Sequence, residues 1–206
     1  MSKLTEDIAE FGLENAEVFV KSLIESDSWA RDIPYVADAL KLISIGRSIS
    51  DRILGRKLEK FFDTLRRVPE RDRDRMHERL LENAESTARV GEVMLLTVER
   101  LNGLDKPKWA ALALIGHLEG AFTVDELRRV LGAVDQTVPS DLDYLVANAN
   151  AKPSQAAAVL AAFVPTGLAV PMAGGTWDAD GNMSYGVSTL GQKLAQIHGK
   201  WFSIMS

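Results

Sequence analysis

The 206-residue sequence contains no cysteine and only three histidines. The absence of cysteine excludes disulfides and thiolate metal sites, and it fits a reducing compartment. His77, His117 and His198 lie far apart and show none of the spacings by which helical histidines bind zinc. We therefore predict a protein with no metal and no cofactor.

Long apolar runs are also missing, since no stretch approaches the roughly 20 apolar residues of a membrane span. The first ten residues are acidic and lack the basic and then apolar order of a signal peptide. Hydrophobic residues make up 46% and charged residues 26%, which is ordinary for globular proteins. These features predict a cytoplasmic protein with one large domain or two small ones.

Motifs of catalysis and ion binding are incomplete. There is no G-x-S-x-G nucleophile elbow, and "AGGTWD" does not match the dinucleotide fingerprint G-x-G-x-x-G. Asp178 and Asp180 resemble the start of a calcium loop, but Met183 stands where that loop needs Gly and Thr189 where it needs Glu. We predict no catalytic residues and no enzymatic activity.

Charge is unevenly distributed around a net value of -5. Residues 1–34 carry three bases and eight acids, whereas residues 41–75 carry eleven bases and six acids. Residues 105–206 carry seven bases and nine acids. Because the basic stretch is heavily mixed with acids, binding to nucleic acid by bulk charge is disfavoured.

Helical periodicity dominates residues 1–104. Apolar residues recur at three- and four-residue steps from Ile8 to Ile24, from Tyr35 to Leu65 and from Pro69 to Leu104. In the second of these segments the basic residues Arg52, Arg56 and Lys60 step by four along another face. The pattern predicts an antiparallel helical bundle with two long helices, held together internally or by self-association.

Residues 105–206 predict a second domain of mixed character. Helices are expected over 107–118, 123–134, 139–149 and 153–164, and Thr123 with Glu126 forms the S/T-x-x-E capping box of the second. Asp180-Gly181 is a two-residue turn signal between the short β-prone stretches "GLAVPM" and "YGVS". A last helix follows, with Ser188 or Thr189 as its N-cap.

The pattern Y-x-x-S-x-L-G-x-x-L from Tyr185 to Leu194, together with the "GL" after a helix, resembles the end of bacterial winged-helix proteins. The resemblance covers about residues 106–200, although four helices precede the hairpin where a minimal winged helix has three. The Ile-Pro pair followed by "SISDRILGRKLEKFF" also loosely resembles uncharacterised bacterial helical proteins. The expected fold is therefore mainly α, a helical bundle followed by a winged-helix-like module with one small hairpin.

The resemblance implies DNA binding, for which the candidate contacts are Arg128, Arg129, Lys152 and Gln155. The helices nearest the hairpin offer few basic side chains, however, and base reading normally uses several adjacent Arg, Lys, Asn or Gln residues. Our first hypothesis is accordingly a non-catalytic recognition or scaffold protein that binds itself and an unidentified protein. The candidate partner contacts are Trp177, Arg52, Arg56 and Lys60.

Two alternatives remain open. One is a DNA-binding transcriptional regulator of winged-helix type, and the other is a peripheral membrane protein that uses the amphipathic helix from Tyr35 to Leu65. The broad apolar stripe and the basic residues of that helix permit the second alternative, which is nevertheless disfavoured.

Overall fold

The computed structural model describes residues 49–82, 84–152, 155–172 and 183–205. Within these ranges the chain is mostly helical with one two-stranded antiparallel sheet, which confirms the predicted mainly α class. The elements, in chain order, are α1 (Ile49–Arg66), α2 (Glu70–Glu82), α3 (Ala84–Arg100), α4 (Lys106–Leu118), α5 (Val124–Gln136), α6 (Pro139–Ala147), the 3₁₀ helix η1 (Gln155–Phe163), β1 (Ala169–Met172), β2 (Ser184–Val187) and α7 (Thr189–Met205). The predicted helix Ile8–Ile24 lies outside the described residues.

Two compact units make up the chain, Met1–Ala111 and Leu112–Ser206, and the division falls within α4. The domain boundary between residues 104 and 105 stays a prediction. No helix in the described ranges is long and apolar enough to cross a membrane.

Helix α1 buries the apolar face that its periodicity predicts. Leu58, Phe61, Phe62 and Leu65 are all buried, and the rings of Phe61 and Phe62 meet edge to face with centroids 5.3 Å apart. This arrangement is the favourable one for two aromatic rings. The buried face packs against α3, so it is tertiary packing more than helix propensity that stabilises α1.

The predicted helix from Pro69 to Leu104 is present as α2 and α3, both of which lie within it. At its start the Pro69 carbonyl accepts hydrogen bonds from the N–H groups of Asp72 and Arg73, at 2.9 and 3.0 Å. The chain leaves the helix at Asn102-Gly103 as predicted, since α3 ends at Arg100 and Gly103 has a φ of 84°. That left-handed conformation favours glycine.

A tight corner joins α4 to α5. A Cβ added at Gly116 would overlap the ring of Phe122 and lie 3.2 Å from Ile197 Cγ1, so α4 approaches its neighbours at a residue without a side chain. The predicted capping box then starts α5. Thr123 Oγ1 accepts from the Glu126 N–H at 3.2 Å, and Glu126 Oε2 accepts from the Thr123 N–H at 2.8 Å.

The segment predicted as an ordinary helix over 153–164 is instead a 3₁₀ helix, η1. Leu160, Phe163 and Thr166 are buried and recur every three residues, which matches the three residues per turn of a 3₁₀ helix. Hydrogen bonds from Val164 N–H to Ala161 O and from Gly167 N–H to Val164 O continue the same i to i+3 pattern. The buried positions thus match the 3₁₀ geometry of this alanine-rich segment.

Strands β1 and β2 form the predicted antiparallel pair, with Ala169 opposite Val187. The Ser188 N–H donates to the Leu168 carbonyl at 2.9 Å and continues the ladder. Hydrogen-bonded and non-hydrogen-bonded pairs alternate along an antiparallel ladder. The backbone groups of Val170 therefore point toward β2 and those of Pro171 toward the open edge of the sheet. Pro171 has no N–H, so its position costs no ladder bond and leaves the open edge one donor short for any additional strand.

Helix α7 begins directly after β2, and its start is fixed by a close approach. Ser188 Oγ accepts from the Gly191 N–H at 3.1 Å, so Ser188, one of the two predicted residues, is the N-cap. Its hydroxyl also donates to the Gly167 carbonyl at 2.6 Å. A Cβ at Gly191 would overlap the Leu168 carbonyl oxygen, which explains why glycine occupies this position.

Candidate functional site

The basic residues predicted on α1 lie on its solvent-exposed face. Arg56 and Lys60 are exposed and sit one helical turn apart, and Ile53 beside them is 48% exposed. Arg52 belongs to the same helix, but its side chain lies outside the described atoms. The face therefore combines two cations with one apolar side chain, while Glu59 and Asp63 are interleaved with the cations along the helix and Asp63 is paired with Arg67 at 3.0 Å. With Asp63 paired, this composition suits an acidic partner that also carries apolar groups.

Lys57 adjoins this face but turns inward. It is only 7% exposed, and its Nζ donates to the Glu99 carbonyl of α3 at 2.6 Å. Burial lowers the pKa of Lys57 below its ordinary value, and the negative charge of Glu99 offsets part of that effect. Lys57 thus satisfies a carbonyl in the last turn of α3, where helices lack intrahelical donors.

The two arginines predicted to contact DNA have different surroundings. Both are exposed on α5. Arg128 Nη1 lies 3.4 Å from Asp125 Oδ1, a surface ion pair within one turn of the helix. Arg129 extends over the turn before β1, since a Cβ at Gly167 would lie 3.2 Å from its Nη1. Gly167 has a φ of 77° and leaves room for the guanidinium.

The other two predicted DNA contacts lie on different elements. Lys152 is exposed in the segment after α6, and Gln155 is the first residue of η1, its side chain lying outside the described atoms. The four candidate residues are thus distributed over α5, a connecting segment and η1. They do not form a row along one helix, the arrangement typical of a recognition helix in the major groove.

The hairpin presents an apolar outer face. Because side chains alternate along a strand, Val170 and Met172 share one face of β1, and they are 39% and 44% exposed. Gly186 stands opposite Val170 and Ser184 opposite Met172, so the neighbouring strand adds only one small side chain to this face. Met183, just before β2, is also exposed. Trp177, the other predicted partner contact, lies outside the described residues.

A salt bridge between distant residues ties α7 to α5. Lys193 Nζ lies 2.7 Å from Glu126 Oε1, while Glu126 also completes the capping box with Thr123. The hydrogen bond from Lys193 is the main reason that the pKa of Glu126 lies below its ordinary value, and the hydrogen bond from the Thr123 backbone adds to it. One carboxylate therefore caps a helix and fixes its neighbour.

A second such contact holds the end of α7. Glu119 accepts hydrogen bonds from Lys200 and, at 3.4 Å, from Trp201 Nε1. Lys200 Nζ also lies 4.8 Å from the centroid of the Trp201 ring, within range for a cation–π contact. Trp201 is buried, so the C-terminal helix packs back onto its own unit through this residue.

Sequence reasoning missed the structural roles of Glu119, Lys193 and Lys200. The two residues of each pair lie 67 or 81 positions apart in the sequence, so no local spacing predicts the pairs. Among the residues of these two contacts, only Glu126 could be assigned a role from the sequence, through its capping box with Thr123.

No group of three His, Asp or Glu side chains comes together for metal binding in the described part of the chain. The described surfaces instead offer two chemistries, a basic helix face and an apolar hairpin face. Comparison with known proteins finds no matching family model, no matching curated protein and no matching solved structure.

Proposed function

We propose that this protein is a non-catalytic recognition or scaffold protein. Its N-terminal helices form an antiparallel bundle that self-associates, and its C-terminal unit is a winged-helix-like module that binds a partner protein. The observation that carries the proposal is the apolar outer face of the hairpin, where Val170 and Met172 remain exposed opposite Gly186 and Ser184.

The order of elements in the C-terminal unit supports the winged-helix-like description. A capped helix, a helix begun by Pro139, a 3₁₀ helix, two antiparallel strands and a final helix follow one another along the chain. In this description η1 takes the place of one helix, and the loop predicted as the wing, residues 173–182, lies outside the described residues.

Charge supports a protein partner over DNA. Each phosphate contact uses a Lys or Arg that is free to displace counterions. Arg128 is paired with Asp125, Arg129 lies over the Gly167 turn, and the residues from Pro153 to Gln192 contain no Lys or Arg. An apolar patch edged by polar groups is instead typical of protein interaction sites.

The test compares two exposed valines of the C-terminal unit. Val170→Asp places a charge on the outer face of the hairpin, while Val138→Asp places the same charge at another exposed valine, 54% accessible and located before α6. Tagged wild-type and variant proteins are crosslinked in an extract of the native host, and captured proteins are quantified. We expect partners that Val170→Asp loses and Val138→Asp retains.

Equal capture by both variants, with thermal stability preserved, would contradict the assignment of the hairpin as the partner-binding face. The DNA alternative is tested in parallel by fluorescence anisotropy with duplex DNA across a salt series. Tight binding with a steep salt dependence, lost in Arg128→Ala with Arg129→Ala, would favour the regulator hypothesis instead.

A further inference from the structure

We infer that the exposed basic face of α1, formed by Ile53, Arg56 and Lys60, binds the acidic N-terminal segment of a second copy of this chain. The inference deepens the proposed self-association and rests on it. It names both the surface and the partner.

The basic face is available because the buried and exposed sides of α1 are clearly separated. Leu58, Phe61, Phe62 and Leu65 fill the interior, and Lys57 is held by the Glu99 carbonyl. Arg56 and Lys60 remain exposed in the single chain. They lie four residues apart, about 6 Å along the helix axis.

The complementary charge lies at the start of the same sequence. Residues 1–34 carry eight acids and three bases. Four of these acids follow one another at steps of three, four and three residues, the spacing that places side chains on one face of a helix. They are Asp7, Glu10, Glu14 and Glu17.

The apolar residues of the segment are offset from these acids. Phe11 belongs to the predicted apolar stripe and lies one helical turn from both Asp7 and Glu14, so on a helix it would contact Ile53 while the carboxylates meet the cations. Opposite charges of this kind set partner choice and orientation between helices. Because the proposed self-association brings two copies together, we assign the acidic segment to a second copy, with two equivalent contacts in a twofold dimer.

A charge-swap experiment on the full chain tests this inference. The first variant is Arg56→Glu with Lys60→Glu, and the second is Glu14→Lys with Glu17→Lys. Each variant alone places like charges at both contacts, and we expect its self-association to weaken by at least about tenfold. Mixed together, the two variants form mutually complementary pairs, and we expect association near the wild-type level.

Lys108→Glu with Lys152→Glu is the matched control. Both lysines are exposed and lie outside α1, so the control changes net charge by the same amount as the first variant. We expect its self-association to stay at the wild-type level. The Gln pair Arg56→Gln with Lys60→Gln removes the cations without adding acids, and we expect it to weaken association less than the Glu pair.

Association is measured by sedimentation velocity, with distinguishable fluorescent labels for the mixture and circular dichroism to verify folding. Wild-type association that neither variant changes would overturn the inference and leave the proposed self-association intact. Weak variants that fail to rescue each other would also overturn it, because the contact would then lie within one chain. A strictly monomeric wild-type protein would instead contradict the proposed self-association itself.

Discussion

The two units of the chain use charge differently. In the N-terminal unit the described salt bridges are local, as in Asp63 with Arg66 and Arg67 at 3.6 and 3.0 Å on α1. In the C-terminal unit two of them join distant residues, Glu126 with Lys193 and Glu119 with Lys200. A local pair joins two residues of the same helix, whereas a long-range pair holds one element against another.

This difference indicates which charged residues of each unit are not needed for contacts between its own elements. An exposed pair at i and i+3 or i+4 contributes little and constrains no tertiary contact, so the basic face of α1 is available to a partner. Glu126 and Glu119 are committed to α7 and cannot serve a partner without loosening the unit. The exposed apolar groups of the hairpin take part in neither of these two contacts, and they form the surface that we propose for recognition.

The largest expected effect comes from the close approach at the start of α7. Gly191→Ala would force a Cβ into the Leu168 carbonyl and the Val187 side chain. Because the backbone must shift, we expect a loss of about 3 kcal/mol in the free energy of unfolding. Urea denaturation measures this loss.

Gly199→Ala is the control in the same helix, since a Cβ there meets nothing within 4 Å. We expect a gain of about 0.5–1 kcal/mol from the better helix propensity of alanine. Similar losses for both variants would show that the junction between Leu168 and α7 is not tight.

Lys57→Met tests how the buried charge of the N-terminal unit affects stability. The substitution keeps the buried length and removes a charge whose pKa burial lowers, and it also removes the hydrogen bond to the Glu99 carbonyl. The desolvation cost of the ammonium disappears with the charge and offsets the lost hydrogen bond. We expect the variant at pH 7 to equal the wild type or exceed it by about 1 kcal/mol in unfolding free energy.

The pH dependence gives this prediction a second readout. The folded pKa of Lys57 lies below the ordinary 10.5, so the folded protein binds fewer protons than the unfolded chain between these two values. Wild-type stability relative to Lys57→Met should therefore rise as the pH increases through that window. A stability difference that stays constant up to pH 10.5 would contradict the buried placement of the ammonium.

Glu126→Gln tests the long-range pair of the C-terminal unit. Glutamine preserves the capping box and removes the charge opposite Lys193. We expect a loss of about 0.5–1 kcal/mol at pH 7, measured by urea denaturation. Because the folded pKa of Glu126 lies below 4.5, its contribution is complete above pH 4.5 and disappears as the pH falls through the folded value.

Asp125→Asn is the matched control for that measurement, since Asp125 is the neighbouring acid and its side chain is 87% exposed. We expect its effect to stay below about 0.5 kcal/mol. An equal loss in both variants would mean that the Lys193 contact adds nothing beyond a surface pair.

The smallest effect is expected for Asp63→Asn on α1. It removes the local pairs with Arg66 and Arg67, both of them exposed. The change in unfolding free energy should stay within about 0.5 kcal/mol. A loss above 1 kcal/mol in thermal or urea denaturation would show that Asp63 contributes more to folding than a local surface pair does.

Local chemistry explains which parts of the fold could be predicted. The Thr123 and Glu126 capping box, the stop at Asn102-Gly103 and the strands beside Asp180-Gly181 all have signals within a few residues. The four-residue steps of the basic residues likewise placed Arg56 and Lys60 on one face of α1.

The rest depends on tertiary contacts. No sequence feature near Lys57 predicts its hydrogen bond to the Glu99 carbonyl, 42 residues away. The alanine-rich η1 suits an α-helix or a 3₁₀ helix equally, so its 3₁₀ form could not be predicted from the sequence. From the sequence we predict Arg129 as a DNA contact. Its position over Gly167 depends on the tertiary fold.

The most direct test of the central claim is sedimentation velocity of the wild-type chain over a range of protein and salt concentrations. The proposed scaffold with a basic helix face predicts a dimer or larger species at micromolar concentration that dissociates as salt screens the charges. A monomer at every concentration in low salt would contradict self-association and, with it, the scaffold function.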